Sequence, residues 1–180
     1  MGSLALVPAL DHPDLLAPPV AAALAAWDHA GEVQVAPIDA GLADTAAFCE
    51  AYDIGLDVSA NCVIVVGRRG DTTRYAACMI LATTRADVNG VVRTRLEARK
   101  ASFAPMEDAV ALSGMEFGGI TPVGIPADWA LYIDARIVAL PQIVIGAGTR
   151  GAKLVLPGAA LAALPGAEVI EGLAREVEQA

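Results

Sequence analysis

The stretch that decides the fold class is Cys62-Val63-Ile64-Val65-Val66-Gly67-Arg68-Arg69-Gly70-Asp71-Thr72-Thr73-Arg74-Tyr75-Ala76-Ala77-Cys78-Met79-Ile80-Leu81-Ala82-Thr83. Cys62–Val66 is a continuous strand-forming run, and Arg74–Thr83 is a second. Gly67-Arg68-Arg69-Gly70-Asp71 between them has the glycine and aspartate that a tight hairpin turn demands. The centre of the chain therefore reads as an antiparallel pair.

Outward from the hairpin, strands and helices mix without regular alternation. Upstream, Pro18 starts a helix carrying Val20, Leu24 and Trp27 on one stripe. Val33–Ile38 alternates as a short strand. Asp44 caps a helix that runs through Tyr52 and ends near Gly55. Downstream, Asp87–Arg99 reads as a helix, Ala101–Ala104 as a strand, and Pro105–Leu112 as a helix stopped by Gly114. Strands follow near Leu131–Ile133, Gln142–Ile145, Lys153–Leu156 and Val169–Ile170, with a short helix from Pro157 to Leu164. Such an order predicts a mixed, α+β-like α/β fold or a mixed barrel rather than a doubly wound sheet.

The chain has 180 residues, 56% of them hydrophobic types and 18% charged. That supports one folded domain and excludes a disordered chain. No apolar run approaches the roughly 20 residues needed to span a membrane. Met1–Asp14 lacks Lys and Arg and does not read as a signal peptide. Cys49, Cys62 and Cys78 are odd in number and widely spaced, which predicts neither disulfides nor a zinc site and suits a reducing cytosol.

Net charge is −9, unevenly spread. Residues 1–60 hold nine acids and no Lys or Arg, whereas residues 61–100 hold eight basic residues and three acids. The overall charge disfavours non-specific binding to DNA, yet a local basic zone can still dock a phosphate backbone. Arg93, Arg95, Arg99 and Lys100 form that zone, or else the solvated face of one helix.

Catalytic signatures are scarce. His12 and His29 lie in the acidic N-terminal segment, away from any nucleophile motif. Cys62 reads as a small core residue. No metal-ligand spacing and no nucleotide fingerprint is present, and the turn Gly146-Ala147-Gly148-Thr149-Arg150-Gly151 lacks the spacing for one. The remaining candidate is Phe117-Gly118-Gly119-Ile120-Thr121-Pro122-Val123-Gly124. Its glycines and proline set an unusual backbone path, which can gather N–H groups around a carbonyl oxygen or serve only as a connecting turn.

Gly118-Gly119-Ile120-Thr121-Pro122-Val123-Gly124 resembles the GxxxP loop of the YbaK/EbsC family, with Gly118 and Pro122 at its ends. These are aminoacyl-tRNA deacylases related to the editing insertion domain of bacterial prolyl-tRNA synthetase. Ala109–Gly114, Ile133-Asp134, Ile143–Gly148 and Leu154–Pro157 are similar to family segments and follow in the family's order. Thr45–Gly55 resembles the helix before its first core strand. The resemblance covers roughly residues 30–173.

The resemblance implies a barrel-like mixed sheet flanked by helices, in a single domain over 1–180 with 1–30 as a helical extension. It implies a free-standing trans-editing hydrolase that cleaves the ester of a mischarged tRNA carrying a small amino acid, in the cytoplasm, without metal or cofactor. The acceptor end of the tRNA is the implied partner, and a homodimer stays open. Gly118, Gly119, Thr121, Pro122 and Asn61 are the implied catalytic positions. Gly124, Gly148, Thr149 and Arg150 are the substrate contacts, and Arg93, Arg95, Arg99 and Lys100 the tRNA contacts. The family's lysine at the start of the first core strand falls here at Asn61 or Cys62. Of the two lysines present, Lys153 opens a strand expected near the other end of the fold, and Lys100 follows the basic segment. A binding or regulatory protein that has lost hydrolysis with that lysine is the alternative, and an unrelated small-molecule hydrolase is a third reading.

Overall fold

The structure is a computed structural model and describes residues 1–177. In chain order its strands are β1 (Val7–Pro8), β2 (Gln34–Pro37), β3 (Ala60–Arg69), β4 (Thr72–Leu81), β5 (Thr84–Ala86), β6 (Lys100–Phe103), β7 (Ala130–Asp134), β8 (Ile143–Gly146), β9 (Ala152–Leu156), β10 (Ala167–Ile170) and β11 (Ala174–Glu176). One sheet has the order β10-β7-β4-β3-β6, a second has β1-β2-β9-β8, and β11 pairs with β5. In the five-stranded sheet β4, β7 and β10 run parallel, while β3 is antiparallel to both β4 and β6. The two larger sheets touch through a parallel bridge between Ser59 and Val144 and do not close into a barrel.

The central hairpin forms as expected. Arg69 pairs with Thr72, leaving Gly70-Asp71 as a two-residue turn with Gly70 at φ 59°. Alternation along β3 and β4 sends Ile64, Ala77 and Met79 to one face and Val65, Ala76, Cys78 and Ile80 to the other. The first set meets Val35, Ile143, Ile145, Leu154 and Leu156 of the second sheet in the main core. The second set is covered by Val88, Val92, Leu96 and Leu173. The outer face of the second sheet, Val144 and Val155, packs under Phe48 and Cys49 of the Thr45–Tyr52 helix.

Residues 1–30 are woven into this core. β1 pairs with β2, and Val20 and Leu24 of the Pro18–Ala25 helix are fully buried in the main cluster. Asp44 caps the Thr45–Tyr52 helix by accepting from the N–H groups of Ala46 and Ala47. That helix ends at Asp53, in left-handed conformation at φ 54°, two residues before the glycine expected to stop it. The Met106–Ser113 helix ends at Gly114, φ 67°, as its sequence predicts.

The basic segment departs from the expected long helix. Asp87 caps a π-helical turn at Val88–Val92, which tightens to α-helix only over Arg93–Arg95. Glu97, at φ 53°, turns the chain out. Arg99 donates its N–H to the Arg68 carbonyl, and Lys100 begins β6. The four basic residues therefore do not share one helix face. Beyond the expected strands, β1, β5 and β11 form, each only two or three residues long.

Candidate active site

A cavity of about 550 Å³ opens at the seam where the two larger sheets meet. The first five residues of β3, Ala60 to Ile64, form one wall. Ala43, Asp44 and Thr45 at the start of the Thr45–Tyr52 helix form another, and Gly146 of β8 and Lys153 of β9 close the back. Gly118 and Ile120 of the glycine-rich loop complete the lining together with Ala104, Ala109 and Arg150. Phe103, Met106 and Phe117 stand around the mouth and are 53%, 53% and 58% exposed.

Polar groups inside are few and fixed. Thr45 Oγ1 donates to Asn61 Oδ1 at 2.7 Å, which leaves the Asn61 amide nitrogen as a donor. Lys153 is buried, and its Nζ donates to the Ala43 carbonyl at 3.3 Å and lies 5.0 Å from the centre of the Phe48 ring. Burial pushes its pKa down, and Arg150 adds to that, while Cys49 and Asp44 oppose it. Burial pushes the Cys62 thiol pKa up, with Cys78 adding to it, so Cys62 is a neutral wall residue and a poor nucleophile. It lines the cavity half-buried rather than filling the core.

The glycine-rich loop is held by the 146–150 turn. Gly119 N–H donates to Glu116 carbonyl, Gly148 N–H to Gly119 carbonyl, and Glu116 N–H to Gly148 carbonyl. Arg150 staples the rim: its N–H donates to Glu116 Oε2 at 2.6 Å, and its guanidinium to the carbonyls of Phe117 and Ala40 at 3.0 and 3.1 Å. The N–H groups of Gly118 and Ile120 have no hydrogen-bond partner among the described residues.

The structure thus brings Asn61, Gly118 and Arg150 to one cavity and leaves the other expected positions outside it. Gly119 packs behind the loop, where an added Cβ would meet the Thr149 carbonyl oxygen at 2.4 Å. Thr121 is fully buried, its hydroxyl without a partner and its N–H directed at Met115 Sδ, and Pro122 is buried beside it. Gly124 and Gly148 lie against Pro19, Ala17 and Val20 of the N-terminal segment. Thr149 donates its hydroxyl to the Leu15 carbonyl at 3.0 Å. Gly124, Gly148 and Thr149 are thus held from behind by residues 15–20.

One reading of the charges also changes. Lys153 does not lie at the far end of the fold; the pairing of β9 with β8 and β2 carries it into the cavity. Lys100 lies outside the cavity. It is exposed beside Arg68 on the edge of the sheet, about 23 Å from Asn61 at an ordinary strand rise. Arg95 pairs with Glu168 at 2.8 Å, whereas Arg69, Arg93 and Arg99 border a shallow hollow nearby. His29 contacts Glu32 at 2.6 Å and, like His12, lies outside the cavity. Among the described residues no cluster of three His, Cys, Asp or Glu could hold a metal, and no helix is long and apolar enough to cross a membrane.

Thr45, Phe103, Met106 and Lys153 are among the lining residues that sequence reasoning missed as site residues. Only Lys153 carried a signal, as a lone charge inside the apolar strand Ala152-Lys153-Leu154-Val155-Leu156.

Comparison with known proteins agrees with this architecture. Residues 39–164 match the model of the aminoacyl-tRNA editing domain. The fold is similar to that of a candidate trans-editing enzyme for prolyl-tRNA synthetase, with TM-score 0.73 and 22% identity over 89% of this chain and 97% of that one. It is also similar to the hypothetical protein APE2540, with TM-score 0.70 and 18% identity over 79% of this chain and 91% of that one. No curated protein matches the sequence.

Proposed function

The chain belongs to the aminoacyl-tRNA editing domain family, and from that premise we propose that it is a free-standing hydrolase of mischarged tRNA carrying a small amino acid. The observation that carries this reading is the single cavity that joins Asn61, Gly118 and Lys153 beneath an exposed aromatic mouth. Its inner wall of Ala60, Ile64, Ala109 and Ile120 suits a short apolar side chain. Phe103 and Phe117 at the mouth suit the terminal nucleoside, because aromatic side chains stack on bases and a ribose can lie between base and ester. Lys100, about 23 Å away along β3, and the arginines of the preceding segment suit phosphates further up the acceptor stem.

The ester is already activated, so its hydrolysis asks for a positioned water and donors for the charge that develops on the carbonyl oxygen. The free N–H groups of Gly118 and Ile120 and the amide nitrogen of Asn61 are such donors. The loop supplies fewer of them than its glycine content suggests, because the Gly119 N–H is committed to Glu116. That commitment favours a second reading, in which the cavity binds the charged acceptor end without cleaving it.

A deacylation screen over a panel of mischarged tRNAs separates the two. Release of one or a few small amino acids supports the hydrolase. Saturable binding of the same tRNAs with no turnover above the buffer rate supports the binder and overturns the hydrolase.

A further inference from the structure

Of the two lysines, Lys100 is exposed and Lys153 is 7% exposed. β9 holds Lys153 between Ala36 of β2 and Gly146 of β8, so its backbone position is set on both sides. Its ammonium has three donors and makes one hydrogen bond, to the Ala43 carbonyl. Among the described residues no carboxylate lies within ion-pair distance of it. Its other neighbours include the Phe48 ring, a surface that methionine or leucine would fill equally well.

A buried cation without a counter-anion is unfavourable unless something supplies the anion. Lys153 faces the cavity, and the ligand therefore brings that charge. Two anions exist near an aminoacyl-tRNA 3′ end: the phosphodiester, and the oxyanion formed when the ester is attacked. The phosphodiester lies a ribose away from the ester. With the nucleoside at the exposed Phe103 and Phe117 mouth, it stays outside, whereas the acyl group reaches the back of the cavity where Lys153 stands.

We propose that Lys153 is the cationic catalytic residue of this site and binds the oxyanion of the tetrahedral intermediate, with the Asn61 amide as its neighbour. This rests on the editing reading. Water oxygen adds to the ester carbonyl carbon, and the carbonyl π pair moves onto oxygen, where the Lys153 ammonium holds it. The pair then returns, the bond from carbon to the ribose oxygen breaks, and the ribose oxygen takes the proton that the water gives up. Free amino acid and a tRNA with a free terminal hydroxyl result, with no co-reactant other than water. A charge present only after attack is met by a donor already in position, which accelerates the step rather than tightening ground-state binding.

The test compares wild type, Lys153→Met and Lys153→Arg. Met retains the packing and removes an unpaired buried charge, so its melting temperature should equal or exceed that of wild type. In single-turnover deacylation, Lys153→Met should lose about 100-fold or more in rate with tRNA affinity unchanged, and Lys153→Arg should recover part of that loss. Wild-type rate should fall at alkaline pH as the ammonium deprotonates, below the ordinary lysine range, and Lys153→Arg should abolish that fall. Asp44, Cys49 and Arg150 are the titratable and charged groups that tune it. Calorimetry with short aminoalkylphosphonates, which are tetrahedral anions of amino-acid size, reads the anion site without turnover. Wild type should bind them and Lys153→Met should not.

A Lys153→Met rate within about twofold of wild type, or a loss expressed only in tRNA affinity, overturns the catalytic assignment. Phosphonate binding that ignores Lys153 overturns the anion site. Wild type inert on every mischarged tRNA, yet binding phosphonates through Lys153, overturns the hydrolase reading while upholding the anion site.

Discussion

Thr45 Oγ1 donates a 2.7 Å hydrogen bond to Asn61 Oδ1, joining the first turn of a helix to the first residues of β3 across the wall of the cavity. The bond orients the amide so that its nitrogen is left to donate. Asn61→Ala should slow deacylation about tenfold, the worth of one hydrogen bond to a developing charge. Thr45→Val should have a smaller effect in the same direction, through misorientation. The double variant should fall short of the product of the two, since both remove one unit. Single-turnover rates of the three variants check this.

Gly118 and Gly119 should separate in what they do. Gly118 sits at φ 83°, and an added Cβ would come within 3.0 Å of Arg150 Nη1. Gly118→Ala should cost about 1–2 kcal/mol of stability from left-handed strain and reduce activity by disturbing the rim. At Gly119 the added Cβ would meet the Thr149 carbonyl oxygen at 2.4 Å, and backbone cannot step aside cheaply. Gly119→Ala should cost about 2–3 kcal/mol, and its activity loss should track unfolding. Thermal melts beside activity at a temperature where both variants are folded distinguish the two.

The mouth should be read by RNA. Phe103→Ala and Phe117→Ala should each weaken acceptor-end binding by about 1–3 kcal/mol, the usual worth of a base stacked on an aromatic ring. Neither should change affinity for a tRNA that lacks its terminal adenosine. Equal losses for full-length and shortened tRNA would remove the stacking role.

Charge removal at Arg93, Arg99 and Lys100 should weaken tRNA binding and lower its salt slope by roughly 0.7–0.9 for each phosphate that is no longer neutralised. Arg95→Ala should do less, because its guanidinium already pairs with Glu168. Amino-acid preference should stay the same in all four. Binding isotherms at several salt concentrations check the slope.

Lys153 should also leave a mark on stability. Burial holds its pKa below the ordinary value of 10.5, so between the two values the unfolded chain binds more protons than the folded one. The destabilisation is complete below the folded pKa and is relieved as pH rises through it. Wild-type stability should therefore climb toward that of Lys153→Met as pH rises toward 10.5. Denaturant midpoints of the two proteins across that range measure the convergence.

Local chemistry along the chain was enough for the β3–β4 hairpin around Gly70-Asp71, the Asp44 cap, the Gly114 stop and the loop from Gly118 to Gly124. Each depends on residues within a few positions of one another, where turn geometry and capping bonds act without the rest of the fold. The helix expected over Asp87–Arg99 failed for a related reason. The sequence pattern reports apolar period, and the left-handed Glu97 that cuts the helix short leads into the pairing of β6 with the distant β3. Thr121 and Thr149 could not be sorted from true cavity residues, because the segment that claims Thr149 lies 134 positions away at Leu15. Only the tertiary structure decided where the positive charge of the site resides. Asn61 and Lys153 are 92 positions apart, and they line one cavity because the Ser59–Val144 bridge and the β8–β9 pairing draw two sheets together. No local propensity encodes such a contact, since it depends on the burial of the faces that both sheets share.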